Sequence, residues 1–140
     1  MKRTRVVAWV TVGLLVALVL PTFSLAQEKQ KPAPSIRVEP EAFDFGKALP
    51  DKSLRKEFTL RNFGDAELVI EGVTTTCGCT AALASDTKLP PGGSTVLRVT
   101  LETRSYSGKL ERQVLVRSND PKTPLLTVKV SATVEAGSEK

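Results

Sequence analysis

Cys77 and Cys79, the only cysteines of the chain, stand one glycine apart in the stretch TTTCGCT, residues 74–80. Thiols at that spacing suit three kinds of chemistry. The first is a disulfide. In an extended strand, residues two apart have Cα atoms roughly 6.6 Å from each other, whereas a disulfide prefers about 5.5–6 Å. Bridging Cys77 to Cys79 therefore requires a bend at Gly78, which glycine permits. The ring would be small, strained and easily reduced, as in a redox-active pair. No base or cation stands beside the thiols in the sequence to activate them, and the thioredoxin pattern is absent. The second is metal: two thiolates can hold soft Cu(I), while Zn(II) needs four ligands, the others drawn from carboxylates or a second chain. The third is structural. The thiols would be small buried hydrophobes or a local bridge fixing the route into AALAS, with Thr76 and Thr80 satisfying backbone groups at the bend.

Other chemistry is narrowed by what the chain lacks. It has no histidine, which removes Ser-His-Asp and Cys-His arrangements. Its one methionine and one tryptophan are Met1 and Trp9. No residue is assigned a catalytic or cofactor-binding role. Asp44 reads as an outward strand aspartate rather than a ligand. Asn119-Asp120-Pro121 reads as a turn rather than a cation grip. Phe63 at a turn tip either anchors a partner or covers the end of the domain, and the cover is favoured. Arg55, Lys56, Arg61, Arg98, Arg104, Arg112 and Arg117 are spread among acidic neighbours and read as a solvated surface rather than a nucleic-acid-binding face.

The elements that must position the thiols are strands. Leu54, Phe58 and Leu60 alternate with Arg55, Glu57, Thr59 and Arg61. Leu97, Val99 and Leu101 repeat the pattern, as do Leu126, Val128, Val130, Ala132 and Val134. Val114 and Val116 face away from Gln113 and Arg117. Leu68 and Ile70 share a side until Gly72 shifts the parity to Val73, which suggests a bulge. IRV (36–38) and FDF (43–45) read as a split first strand, and Cys77 and Cys79 follow the end of the third.

Turns are expected at Asn62–Asp65, Leu89–Gly93, Ser105–Gly108 and Ser118–Pro121. In the second, Pro91 presets the backbone and Gly92 takes a positive φ. About seven antiparallel strands in some 100 residues make an immunoglobulin-like β-sandwich, with no sustained helical period to oppose it. The expected core is Phe43, Phe45, Phe58, Leu60, Leu68, Ile70, Leu97, Val99, Leu101, Val114, Val116, Leu126, Val128 and Val130.

The chain's beginning differs in kind. Lys2, Arg3 and Arg5 precede an apolar run from Val6 to Leu20, then Pro21 and the small-residue site Ser24-Leu25-Ala26. This reads as a secretory signal peptide over residues 1–26, cleaved near Ala26-Gln27. The apolar run falls short of the roughly 20 residues of a spanning helix, so a membrane role rests only on an uncleaved signal. Removing it takes away three of 20 basic and none of 15 acidic residues, leaving a net charge of +2. Residues 27–35 read as a flexible linker, 36–135 as the sandwich and 136–140 as a disordered tail.

In order, FDFG (43–46), LRNFGDAELVIEGV (60–73), CGCT (77–80), LPPGGS (89–94) and SND (118–120) resemble a family of exported bacterial proteins known only as a domain of unknown function, number fifteen-seventy-three. The resemblance runs from Phe43 to Val134. It implies an architecture similar to major sperm protein and hydin-type domains, and export, but no activity. Many members carry a lipid on a cysteine that this chain lacks. The function expected is a non-catalytic binding or assembly module in the periplasm or cell envelope. Its partner would be an envelope protein or peptide added to a sheet edge, with Pro124 guarding the last strand so that the opposite edge is favoured. The alternative is a thiol-based redox or soft-metal protein using Cys77 and Cys79.

Overall fold

A computed structural model describes residues 30–135. The expected signal peptide, the first three linker residues and the expected tail lie outside the described residues. Nine strands are present among those described: β1 (Ile36–Glu39), β2 (Ala42–Ala48), β3 (Ser53–Asn62), β4 (Leu68–Thr75), β5 (Thr80–Ala84), β6 (Lys88–Leu89), β7 (Ser94–Glu102), β8 (Gly108–Ser118) and β9 (Leu125–Val134). They form two packed sheets, β1-β3-β7-β5 and β2-β9-β8-β4-β6. The fold is an immunoglobulin-like β-sandwich, as the alternation of apolar residues requires.

Nine strands replace the expected seven or so for two reasons. The split first strand is two strands in opposite sheets, β1 pairing with β3 and β2 with β9. The short runs TAALA and KL also form strands, paired to β7 and β4. Neither run carries the alternating β-branched residues that announce a strand. The β2–β9 pairing is parallel, with Phe43 opposite Val130, which departs from the all-antiparallel expectation. Side-chain parity says which face a strand buries but not the direction of its neighbour. The bulge at Gly72 is present, as a register shift between Ile70 and Gly72 against β8.

The inward faces close into one large cluster around Phe58, Leu60, Leu97, Val114, Val116 and Val128, and a smaller one of Leu101, Leu110, Ala132 and Val134. A fully buried side chain of this size contributes on the order of 1.5–3 kcal/mol. Phe43, Phe45 and Leu126, expected in the core, are only half-buried because they flank the edge of the cluster. Ile36, Val38, Leu89 and Leu110 are buried in addition. Lys56 shares the inward parity of Leu54 and Phe58, and its amine sits 4.3 Å from the Phe43 ring centroid at the open side of the sandwich.

The turns are tied down by buried polar groups. Gly92 takes the expected positive φ of 76°, and the Gly93 N–H donates to the Pro90 carbonyl. Asn62 is wholly buried: its Oδ1 accepts from the Ser35 and Gly64 N–H groups, and its Nδ2 donates to the carbonyls of Ala66, Leu89 and Pro90. Ala33 and Ser35, in the expected linker, accept hydrogen bonds from Asp65 and Phe63. The Ser118–Pro121 turn joins neighbouring β8 and β9, whereas Asn62–Asp65 and Ser105–Gly108 carry the chain between sheets rather than around a hairpin.

Candidate functional site at the Cys-Gly-Cys turn

Cys77 and Cys79 lie in the turn from β4, in one sheet, to β5, on the edge of the other. The strands set the turn's feet: Thr76 N–H donates to the Gln113 carbonyl of β8, and Glu102 N–H of β7 donates to the Cys79 carbonyl. Thr80 N–H closes the turn on the Cys77 carbonyl at 3.1 Å. The hydroxyl that serves the bend is that of Thr75, within 3.0 Å of the Cys77 carbonyl and 2.9 Å of the Thr80 carbonyl. Thr76 instead bonds the backbone of Gln113, and Thr80 places its hydroxyl 3.9 Å from the Cys79 sulfur. The expectation that Thr76 and Thr80 satisfy the bend is corrected accordingly. Thr75 ends β4 with its side chain turned toward the interior, one position earlier than the run of threonines suggested.

Gly78 bends the chain enough to bring the two sulfurs within 2.7 Å, and both thiols are free. They differ in access. Cys77 is half-buried, while Cys79 is 2% exposed. The Cys79 backbone N–H also donates to the Cys77 sulfur at 3.3 Å.

A cation does reach the pair. Arg112 belongs to β8, and its Nε donates to the Cys79 sulfur at 3.2 Å. Its Nη1 donates to the Glu111 carbonyl, and its guanidinium carbon stands 5.2 Å from the Tyr106 ring centroid. Arg104 adds a contact to the Gly78 carbonyl at 3.4 Å. Arg112 is therefore not part of a solvated surface, the reading given to it above. The signal was available: Arg112 shares the parity of Leu110, Val114 and Val116, so it had to point inward. The sequence alone does not say that β8 lies across from the turn.

The Cys79 thiol, donating to the Cys77 sulfur, is the strongest influence lowering the Cys77 thiol to about 7. The Cys79 N–H and the Arg112 guanidinium act the same way, and burial opposes them. The donor chain thus runs from Arg112 to Cys79 to Cys77 and favours the thiolate form of the accessible sulfur.

Among the described residues, no group of three or more histidine, cysteine, aspartate or glutamate side chains converges as a metal site. For Zn or Cu(I), Cys77 and Cys79 are two ligands with a guanidinium beside them, short of the four that zinc takes. Asp44 is exposed, and its Oδ1 accepts from the Gly46 N–H. The Asp120 carboxylate is spent on three backbone N–H groups, those of Ile36, Lys122 and Thr123, and the Asn119 side chain on Val69 and Glu67. The guanidinium carbons of Arg37 and Arg61 stand 5.0 and 5.5 Å from the Phe63 ring centroid. A groove of about 530 Å³ crosses the outer side of β2, β9 and β8, lined in part by Asp44, Glu111, Gln113 and Lys129.

Among solved structures, the chain is similar to a protein of unknown function from Porphyromonas gingivalis W83, at 26% identity and TM-score 0.64, covering 71% of this chain and 46% of that one. It also resembles PapD-like domain 7 of human CEP192, at 12% identity and TM-score 0.58, covering 75% and 88%. A third likeness is SSP-19, an MSP-domain-like protein of Caenorhabditis elegans, at 15% identity and TM-score 0.52, covering 69% and 97%. The last two show shared fold alone. The chain spans less than half of the Porphyromonas protein and 32% of the Vibrio cholerae VesB protease that it also matches in fold. No curated protein matches the sequence. Residues 36–134 match the family described as "Protein of unknown function (DUF1573)", and the chain belongs to that family.

Proposed function

We propose that this chain is an exported module of the bacterial periplasm or cell envelope that works by binding, without catalysis, and that it docks an extended protein segment on the open edge of β5. The supporting observation is the backbone of β5. Glu102 N–H bonds the Cys79 carbonyl and Ser85 N–H bonds the Val96 carbonyl, which fixes the hydrogen-bonded phase of the β5–β7 ladder. In an antiparallel pair that phase alternates, so Ala82 and Ala84 turn their N–H and C=O groups to the free side. Leu83, on the same strand, is 70% exposed.

The other three edges are guarded. β1 has four residues, and its outward N–H at Ile36 is taken by Asp120. β2 is broken by a register shift between Asp44 and Lys47, with Lys56 pointing inward beneath Phe43. β6 has two residues. The expectation that Pro124 guards an edge is corrected: Pro124 precedes β9, and β9 lies inside its sheet between β2 and β8. Protected edges are the rule in soluble sandwiches, and an unprotected one is a docking strand.

A photoreactive side chain at Ala81, exposed beside the edge, tests the reading in envelope extracts. Crosslinks should concentrate on one extended segment of one partner. Crosslinking spread over unrelated proteins, or confined to a control site on the outer groove, would refute edge docking.

A further inference from the structure

We propose that Cys77 and Cys79 form a reversible thiol–disulfide couple, with Cys77 the attacking sulfur and Cys79 the resolving one, acting on a disulfide-bearing thiol compound or polypeptide. Four observations converge. The two sulfurs are 2.7 Å apart and both free. The first is accessible and the second buried, the division of labour that exchange needs. Arg112 is the cation that activation of the pair demands, and it comes from the interior side of β8. Nothing lies within 4 Å of where a Cβ on Gly78 would sit, so the turn has room to move as the bond closes.

The exchange balances in two steps. The Cys77 thiolate attacks one sulfur of the external disulfide, a Cys77–S bond forms, and the other sulfur leaves as a thiolate. Cys79 then gives up its proton and attacks the Cys77 sulfur. The Cys77–Cys79 bond forms and the second external sulfur leaves. The two protein thiols are oxidised, one external disulfide is reduced to two thiols, and the two protons lost by the protein are taken up by the leaving thiolates. Arg112 stabilises the anion during both attacks. With one residue between them, the bridged cysteines close a small ring, so the reverse reaction with an external dithiol is also open. The charged and titratable groups at the turn are Arg112, Arg104 and Tyr106.

Glutathione serves as the test compound, and no docking partner enters the assay, so failure here is separate from failure of the β5 proposal. The full chain is titrated with mixtures of reduced and oxidised glutathione, quenched by a maleimide and weighed. The expected result is one two-electron transition in which the mass falls by two hydrogens and both sites lose labelling together. Cys79→Ser should accumulate a glutathione adduct at Cys77, whereas Cys77→Ser should react at least about tenfold more slowly, its remaining sulfur being buried. Arg112→Gln should slow Cys77 at pH 7 by up to about tenfold, with Arg112→Lys partly restoring it. Three results would overturn the proposal: both thiols still fully labelled at every ratio in the folded wild-type chain, equal rates for the two serine variants, or one copper or zinc ion retained per chain that blocks the titration.

Discussion

Asn62 ends β3 and stands at the meeting point of the segment before β1, the turn into β4 and the Leu89–Gly93 turn. Its amide makes five bonds to backbone groups of these three segments. Asn62→Ala leaves several of those groups buried without partners, each net bond being worth about 1 kcal/mol. A loss of about 2–4 kcal/mol is expected from urea unfolding; a loss within 0.5 kcal/mol, roughly that of a surface change, would refute the hub role. Asp120 works similarly but titrates. Burial, the largest single influence, pushes its carboxyl up, yet the N–H groups of Ile36, Lys122 and Thr123 together hold it below its ordinary value. A depressed carboxyl stabilises the fold fully above its unfolded pKa, about 3.9, and the contribution is lost as pH falls through the lower folded value. Unfolding midpoints measured from pH 6 down to pH 2 should therefore fall below about pH 4. Asp120→Asn should be less stable at pH 6 and lose that part of the acid dependence. An unchanged acid limb in the variant would remove Asp120 from the account. At this scale the sequence showed the thiols plainly and the Asn119–Pro121 turn correctly. It did not show Asn62 as a hub, because an asparagine before Phe-Gly-Asp looks like any turn residue until the other segments are folded against it.

Strands differ in how openly they announce themselves. β7 and β9 carry sustained apolar alternation, and β3 does so with Lys56 as its one charged inward position, so the sequence places them and most of their buried side chains. β5 and β6 carry almost none and are held as strands by their pairing with β7 and β4. Arg112 was hidden for a related reason. Its parity was readable within β8, but its partner lies 33 positions away in the chain and across the sandwich. The open edge of β5 has a consequence that can be measured. Leu83 is largely in solvent, so Leu83→Lys should leave stability within about 0.5 kcal/mol. A lysine on an edge discourages a further strand, so binding of the segment identified by crosslinking should weaken by about tenfold. Undiminished binding with Lys at position 83 would move the docking site off this strand.

For the molecule as a whole, composition and alternation were enough to give two β layers with an apolar interior, but not the wiring between them. The parallel β2–β9 pair and the transfer of the chain between sheets after β1 are long-range choices that no local pattern records. β9 is the last strand in sequence yet lies between β2 and β8. Deleting residues 125–140 would therefore strip β2 of its partner and leave one edge of β8 unpaired, so the shortened chain should be largely unfolded by circular dichroism. A cooperative thermal transition in that truncation would contradict the topology.

The same placement bears on the order in which the molecule can be born. A polypeptide that threads a narrow passage N-terminus first delivers β2 early and the strand it must zip against last. Until the final ten or so positions of the domain are through, β2 has no seat and the second layer lacks the strand that joins it to β8. A chain delivered in that order can close its second layer only once its last strand has emerged.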